Sequence, residues 1–482
     1  MHSNPNCWGC SIMEENNMLS KTTRVVQTDV ESKDGQDKCP KCGATDISLN
    51  SNNGLLRCNY CRHEFSPNKL TGMATDISQL HGQVIGSGAQ NIVASSNDVV
   101  TFKCSSCGAE VVIDTASSSQ AKCHWCRNIL SVNQQIPNGS IPDAVLPFQI
   151  TKDAAKIQIA NFVGKRKFFA HPKFKQEFTT ENIMGVYFPY MVVDINAHAK
   201  FYGKGEHLVR EYTRGTGERA KTYYDADLYE VGREFDIAIY GLTIESNSER
   251  LKNSSNQTNN IINAIMPFDI ENCVRYNANY LKGYTSERRD TNIDELKETV
   301  SIQSKDIARI STNNTLKEYD RGVAWQQEQF EIKGEQWKAA YLPVWLYSYQ
   351  QVSGNKKVLH YVAVNARTKE TMGSIPIHMP KLVMISFLVE LIGLITVLYV
   401  DFEYDWIFLL SGIIYFILMY SKYRNVNARH TYEKDTEVKM ENLQKIDQLL
   451  KHKTGLSDSS MNGANNTNVN GQNARNFIAK RM

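Results

Sequence analysis

The most constraining feature of this sequence is a cysteine spacing that occurs twice. In each copy, a C-x2-C pair is followed, after fifteen intervening residues, by a second C-x2-C pair. This is the form of a four-thiolate zinc ribbon, because each pair sits on a tight turn and two such turns complete a tetrahedron around one ion. The sequence therefore predicts two ribbons with one Zn²⁺ each, held by Cys39, Cys42, Cys58 and Cys61 in the first and by Cys104, Cys107, Cys123 and Cys126 in the second.

A site made of four thiolates has no open coordination position, so its predicted role is structural. The metal supplies folding free energy to a module too small for a core of its own. Gly43 and Gly108 follow the second cysteine of each copy, where the turn often needs a positive φ angle. His63 and His124 stand next to ligands and could replace a cysteine, but we expect them to lie behind the ligands or at the surface, because four thiolates are already present.

Composition points to a cytosolic protein with several domains. Zinc thiolates need reduced sulfur, and the first ten residues, MHSNPNCWGC, contain no apolar segment of a secretory signal. The formal net charge is +3, and basic side chains near each ribbon are opposed by acidic ones, which argues against a large nucleic-acid footprint. A chain of 482 residues has room for more than one core.

Three cysteines fall outside the two copies. Cys7 and Cys10 form a lone C-x2-C pair, which can be half of a third metal site completed by His2 or by another chain, or a redox pair. The strand–helix context of a thioredoxin-type site is missing, so we favour completion in trans. Cys273 lies on a predicted amphipathic helix, where we expect an inert buried thiol.

Two apolar runs near the C-terminus predict a membrane hairpin. Residues 382–400 are long enough to cross a bilayer core, and residues 406–420 are slightly short. The acidic connector DFEYD separates them and carries no lysine or arginine. By the positive-inside rule, the outer flanks are cytoplasmic and both termini lie inside the cell, since these flanks carry Lys381, Lys422, Arg424 and Arg429. The alternative interpretation is a buried hairpin in a soluble core.

Glu390 lies in the middle of the first apolar run. An ionisable side chain at membrane depth marks an ion or proton site by default. A pore, however, needs several polar positions along one path, and the two runs offer few. We therefore expect a protonated carboxyl group that forms a hydrogen bond with the partner helix or with another protomer.

The region between the ribbons and the hairpin is predicted to be an internal duplication. Pro-Phe dipeptides at 147–148 and 267–268 each open a copy, and an apolar periodicity that favours a helix follows each one. Aromatic and β-branched strands containing Pro189 and Pro343 match each other further along. A polar helix near residues 292–311 lengthens the second copy.

The fold class that follows is multidomain α+β, with two small zinc ribbons, a duplicated β-rich region and a C-terminal two-helix transmembrane hairpin. In chain order we expect a disordered N-terminus with the extra C-x2-C pair (1–38), ribbon one (39–66), a connector (67–99), ribbon two (100–135), the duplicated region (136–378, with halves of about 140–250 and 260–378), the hairpin (379–421), a charged helix (422–454) and a disordered tail (455–482).

No catalytic motif accompanies these elements. The stretch GQVIGSGAQ lacks the lysine of a phosphate-binding loop, and the metalloprotease, hydrolase and kinase motifs are absent from the sequence. We therefore do not expect an enzyme.

Three stretches resemble the TFIIB-type zinc-ribbon-containing membrane proteins of Gram-positive bacteria: CHWCRNILSVNQQIPNGSIPDAVLPF, YLPVWL and VNARTKETMGSIPI. The resemblance spans roughly residues 39–420. Such proteins are often labelled as relatives of the primosomal replication-restart helicase, because that helicase also contains C-x2-C zinc motifs; helicase motifs are absent from this sequence. The resemblance implies a membrane scaffold that recruits flotillin-like or envelope-stress proteins.

The leading hypothesis is a non-enzymatic, membrane-anchored cytoplasmic adaptor that binds a protein partner and can form homo-oligomers. The alternative is a membrane-tethered protein whose ribbons bind DNA or RNA in replication or transcription, with Tyr60, Phe65 and Trp125 as the nearby aromatic side chains for base stacking. A third hypothesis, a small channel, depends on Glu390 and requires oligomerisation.

Overall fold

The chain folds into a mixed α/β protein that is mostly sheet, with five α-helices among the residues described. The computed structural model describes residues 23–26, 39–44, 46–50, 53, 55–67, 70, 73, 75–90, 99–104, 109–114, 121–127, 129–130, 135–136, 142–215, 221–247, 263–276, 278–281, 283–353, 356–399, 405–424 and 432–449.

The strands within these ranges are β1 (Thr23–Val26), β2 (Ile47–Asn50), β3 (Leu55–Cys58), β4 (Glu64–Phe65), β5 (Gly82–Gly86), β6 (Val99–Lys103), β7 (Glu110–Asp114), β8 (Ala121–Lys122), β9 (Ile129–Leu130), β10 (Gln135–Ile136), β11 (Ala144–Val145), β12 (Met184–Arg214), β13 (Lys221–Glu245), β14 (Val274–Arg275), β15 (Thr285–Glu287), β16 (Gly322–Ser353), β17 (Lys356–Asn365), β18 (Thr371–Gly373) and β19 (Glu437–Leu449).

The helices are α1 (Lys152–Gly164), α2 (Pro172–Glu177), α3 (Ile293–Thr312), α4 (Met379–Tyr399) and α5 (Ser411–Arg424). Helix α3 confirms the polar helix predicted near residues 292–311. Asp294 and Glu295 lie in its first turn, where the unpaired N–H groups of a helix favour negative charge.

Two very long strands, β12 and β16, pair antiparallel at the centre of the large sheet. They contain 31 and 32 residues, whereas a typical strand has about 5–6. Strand β12 is buried on both faces from Gly185 to Ala197, which is why its sequence there is nearly continuously apolar and does not alternate. Register shifts after Asn196 and Tyr202 mark bulges, which increase the local twist of the pair.

Each long strand changes its outer neighbour at a proline. On β12, pairing with β15 ends at Tyr187 and pairing with β13 begins at Tyr190, so Pro189 lies in the gap. On β16, Pro343 lies between the segments that pair with β11 and β17. A proline has no N–H to donate, and in these gaps its absence costs no bond of the ladder.

The connector predicted at 67–99 and the N-terminal segment predicted to be disordered both contribute strands to the large sheet. Strand β5 pairs parallel with β16, and β1 pairs parallel with β5. The buried carboxylate of Asp143 holds the connector in place by accepting hydrogen bonds from the N–H groups of Gly88 (2.6 Å) and Ala339 (2.8 Å). The connector is therefore part of the folded core.

The charged helix predicted at 422–454 is wrong, because residues 437–449 form strand β19, which pairs antiparallel with β13. The buried guanidinium of Arg233 on β13 donates to the carboxylate of Asp447 at 2.6 Å. Leu443 packs against the core under the sheet, whereas Ile446 is exposed. Residues three apart lie on one face of a helix but on opposite faces of a strand. Leu443 and Ile446 therefore do not form a common apolar face here.

The helix predicted after the second Pro-Phe dipeptide is also wrong. A 3-10 turn at Ile270–Asn272 and the short strand β14 occupy this stretch, and Cys273 lies between them. The side-chain amide of Asn365 donates to the carbonyl groups of Ile265 (2.8 Å) and Pro267 (3.1 Å). These bonds satisfy the backbone of an irregular loop, so a helix is not required here.

Helix α4 is long and apolar enough to cross a membrane, and no other helix in the described ranges is. The predicted second span is shorter than expected as an α-helix: α5 has 14 residues and follows a 3-10 segment at Asp405–Leu410. A two-span hairpin is therefore not established by helix length. The two helices do contact each other, and Ser411 Oγ donates to the carbonyl of Val389 at 3.3 Å.

Replacing Gly334 by alanine is expected to destabilise the protein by about 1–3 kcal/mol, as overpacking of a tight contact does. An added Cβ would lie 2.3 Å from the carbonyl oxygen of Leu80, a backbone atom that cannot rotate away. The matched control is Gly164→Ala, because nothing lies within 4 Å of the new carbon there. Thermal unfolding of the purified protein should show a lower midpoint for Gly334→Ala alone; equal midpoints would contradict the packing of the connector on β16.

Candidate metal centres

The first predicted ribbon brings four cysteine sulfurs together. Those of Cys39, Cys42, Cys58 and Cys61 all lie within 4.8 Å of one another. The Sγ–Sγ distance is 3.5 Å between Cys39 and Cys61 and 3.6 Å between Cys42 and Cys58. A disulfide would require about 2.05 Å, so these are free thiols arranged around a common point. The cluster could hold one metal ion.

Each turn of this site is built by a short backbone hydrogen bond. The N–H of Gly43 donates to the carbonyl of Cys39 at 2.8 Å, and that of Arg62 donates to the carbonyl of Cys58 at 2.9 Å. Gly43 has φ of +71°, as predicted from its place after the second cysteine. Arg62 occupies the matching place in the second turn with φ of +61°, a conformation uncommon for a residue with a side chain.

Thiol pKa values within the cluster move in opposite directions. Burial opposes ionisation of Cys39, yet the N–H groups of Cys42 and Lys41 point at its sulfur and lower its pKa to about 7. An N–H group of Ala44 favours ionised Cys42, but burial and the neighbouring thiols raise its pKa to about 12. The first thiolate thus repels the formation of a second, which is the behaviour of coupled sites. A cation at the centre would remove this conflict.

The second predicted ribbon repeats the same local geometry. Cys104, Cys123 and Cys126 form a cluster that could hold a metal ion, and the Sγ atoms of Cys104 and Cys126 are 3.5 Å apart, as for the matching pair in the first ribbon. The N–H of Arg127 donates to the carbonyl of Cys123 at 2.8 Å, and Arg127 has φ of +62°. The predicted ligand Cys107 and its neighbour Gly108 lie outside the described residues, as do Cys7 and Cys10.

The second turn of this cluster is packed into the body of the protein. Its two inner residues, His124 and Trp125, are 0% and 8% exposed. Trp125 Nε1 donates to the carboxylate of Glu287 at 2.5 Å, and His124 Nε2 lies 3.2 Å from the same oxygen. Glu287 belongs to β15, which also pairs with β7 of the ribbon. Ribbon two is therefore part of the large sheet and does not form a separate unit.

Arg127 adds a second attachment of this turn to β16. Its guanidinium donates to the carbonyl of Ser348 and lies over the ring of Tyr347, 4.9 Å from the ring centre. The hydroxyl of Ser348 donates to the carbonyl of His124 at 2.7 Å. These contacts fix the orientation of the cysteines on either side of His124 and Trp125. We did not identify Glu287 or Ser348 from the sequence, because they are distant from the ribbon along the chain.

The first ribbon is not part of the large sheet, unlike ribbon two, and its second cysteine turn is exposed. It forms its own three-stranded sheet, β2–β3–β4. Ile47 and Leu56 are buried in a core cluster that also contains Tyr280. The residue that corresponds to Trp125 is Tyr60, whose side chain is 82% exposed. The two centres thus differ: one has its turn buried in the sheet, and the other presents its turn to the surroundings.

The remaining predicted site residues lie away from the cysteine clusters. Glu390 accepts a hydrogen bond from the N–H of Gly412 at 2.6 Å, so its carboxyl group contacts the neighbouring helix near its N-terminus, where helical N–H groups lack internal partners. His63 stacks on Phe65, with ring centres 6.2 Å apart. Burial raises the pKa of the Cys273 thiol to about 12, as expected for an inert cysteine.

Comparisons with protein-family models, with curated proteins and with solved structures each found no match.

Removal of one cysteine from each cluster should produce different effects. Both Cys58→Ser and Cys123→Ser are expected to lower the bound metal by about one ion per chain, because a four-thiolate site tolerates poorly the loss of a thiolate. Only Cys123→Ser should also lower the thermal midpoint of the whole protein, because its turn is packed into the large sheet. Metal content by mass spectrometry and thermal unfolding test this.

The control for this experiment is Cys273→Ser, which removes a thiol outside both clusters and should leave the metal content unchanged. Equal loss of stability in Cys58→Ser and Cys123→Ser would contradict the structural difference between the two centres.

Proposed function

We propose that this protein is a membrane-anchored cytoplasmic adaptor with two structural zinc ions and that ribbon one binds a protein partner. The observation that carries the proposal is the contrast between the two ribbons. Ribbon two is buried in the sheet and has a structural role, whereas ribbon one displays Tyr60 on a turn held by metal ligands. A rigid, exposed tyrosine is a frequent anchor of protein interfaces.

Zinc is the metal that fits these sulfurs best. Four sulfurs at about 2.3 Å from one Zn²⁺ in a tetrahedron lie about 3.8 Å apart, close to the separations in both clusters. A set made only of thiolates favours a soft or borderline ion over magnesium or calcium. The zinc would cross-link two turns that have little apolar core of their own.

We propose that α4 and α5 both cross the bilayer, with the two ends of the chain in the cytoplasm. Contacts between Glu390 and Gly412 and between Val389 and Ser411 support an antiparallel pair. The 3-10 segment that precedes α5 is also apolar and lengthens the second run. Lys381 and Lys422 lie at the cytoplasmic ends of the pair in this arrangement.

We also propose that the large sheet arose by internal duplication. A rotation about the Phe188–Leu342 pair exchanges the prolines at 189 and 343. The same rotation exchanges β11, which pairs with β16 from Ala340, and β15, which pairs with β12 from Val186. Helix α1 begins eight residues after the start of β11, and α3 begins eight residues after the start of β15. The matching segments are then β11-α1-β12-β13 and β15-α3-β16-β17, so the second copy in this proposal begins at β15 and not at the Pro-Phe dipeptide at 267–268 predicted from the sequence.

Nucleic-acid binding is less well supported by the same geometry. Of the three aromatic side chains suitable for base stacking, Trp125 is buried and Phe65 packs partly against the core, which leaves Tyr60. A single exposed aromatic is a small platform for a nucleic acid. The scaffold role implied by the sequence resemblance agrees better with an interface centred on Tyr60.

Partner capture tests the adaptor role directly. Detergent-solubilised full-length protein should co-purify with a protein partner, and Tyr60→Ser should reduce the yield of that partner at least about tenfold, as loss of an anchor residue does. Metal content should not change, because Tyr60 is not a ligand. The control is Tyr223→Ser, a partly exposed tyrosine on β13, away from both ribbons. Capture that persists in Tyr60→Ser, or that disappears after nuclease treatment, would refute the proposal.

Reporter fusions test the number of spans. In a bacterial host, alkaline phosphatase fused within the connector at residue 402 should be active, because this enzyme folds only outside the cytoplasm. The same reporter fused after residue 430 should be inactive, and a fluorescent-protein fusion there should be bright. An active phosphatase after residue 430 would show that the chain crosses the membrane once.

A further inference from the structure

Basic residues from three segments of the chain lie near the exposed side chain of Phe168, where the chain enters the apolar helix α4. We call this cluster the basic collar, and it consists of Lys165, Arg166, Lys167 and Phe168 after α1, Lys381 at the start of α4 and Lys422 near the end of α5. The collar brings together three segments of the chain. Two hydrogen bonds between them, from Arg166 to Lys422 and from Lys381 to Phe168, join residues more than 200 positions apart.

Direct hydrogen bonds hold the collar together. Lys381 Nζ donates to the carbonyl of Phe168 at 3.0 Å and lies 3.8 Å from the centre of its ring. Arg166 Nε donates to the carbonyl of Lys422 at 3.2 Å. The N–H of Phe169 donates to the hydroxyl of Tyr423 at 2.9 Å. The loop after α1 is thus fastened to the ends of both apolar helices.

The four lysines of the collar have no acidic partner within the described part of the chain. Lys165, Lys167, Lys381 and Lys422 form no ion pair with any described residue. Lys165, Lys167 and Lys422 are also exposed. Like charges held close together without counter-ions repel one another, so the arrangement gains stability when an anion lies against it.

Phe168 is 57% exposed although its neighbour Phe169 is buried. The ring projects from the collar beside the first residues of α4. Phenylalanine beside lysines is a combination found in helices that lie at the boundary between lipid tails and headgroups. The side chain therefore has an apolar environment available to it at the bilayer surface.

We propose that the basic collar binds anionic phospholipid headgroups at the cytoplasmic face of the bilayer. The lysines contact lipid phosphates, and the ring of Phe168 enters the interfacial layer. This inference rests on the proposed membrane anchoring. It adds that the protein prefers anionic to neutral lipids, which apolar spanning helices alone would not do. Attraction to an anionic surface is worth about fivefold in affinity per lysine.

The test is native mass spectrometry of the full-length protein in detergent, with phosphatidylglycerol or phosphatidylcholine added at equal concentration. The wild type should retain phosphatidylglycerol in preference, and the triple variant Lys165→Gln/Lys167→Gln/Lys422→Gln should lose that preference by about tenfold or more. A charge-matched control, Lys152→Gln/Lys317→Gln/Lys434→Gln, removes three exposed lysines outside the collar and should behave as the wild type.

Two further arms separate the outcomes. Inorganic phosphate at the lipid concentration should not displace the lipid; if it does, or if an acidic peptide competes equally, the collar is a general anion site and the lipid assignment is overturned. Equal retention of both lipids by the wild type would also overturn it. Extraction of membranes at alkaline pH tests the anchoring separately: both variants should remain in the membrane, and release of the wild type would refute the proposed anchoring instead.

Discussion

Antiparallel pairing between β12 and β16 determines where the remaining elements attach. Strands of this length have more positions on their outer edges than one neighbour can fill. Strand β12 accepts β15 and β13 in succession, and β16 accepts β5, β11 and β17. Ribbon two enters the sheet through β15, the connector enters through β5, and the apolar helices follow β17 and β18. The cysteine cluster of ribbon two and the apolar helices are therefore both positioned by one ladder of backbone hydrogen bonds.

The features that could be predicted from the sequence are those set by local spacing. In the three described C-x2-C pairs (39/42, 58/61 and 123/126), both cysteines lie on one turn, so their approach to a common point follows from a few local backbone bonds. Helix α3 has acidic residues in its first turn and an apolar stripe, and its bounds were predicted to within about one residue. The strands predicted around Pro189 and Pro343 are also present, as parts of β12 and β16, because both segments are strongly apolar.

The features that could not be predicted depend on contacts between distant segments. Nothing near Trp125 along the chain indicates that its indole donates to Glu287, so the burial of ribbon two was not apparent. Strand β19 is rich in charged residues, and its conformation is decided by the free edge of β13 and by the bond between Arg233 and Asp447. After Phe268, apolar residues contact the core from an irregular loop whose carbonyl groups are satisfied by Asn365, and periodicity alone cannot distinguish this from a helix.

Strand β19 has a consequence for the order in which the protein is assembled. It follows α4 and α5 along the chain but pairs with β13, which precedes them by more than a hundred residues. The outer edge of β13 therefore stays open during synthesis until both apolar helices have left the ribosome. The sheet can therefore be completed only after both apolar helices have been synthesised, and a chain that stops before residue 437 leaves an unpaired strand edge available to other molecules.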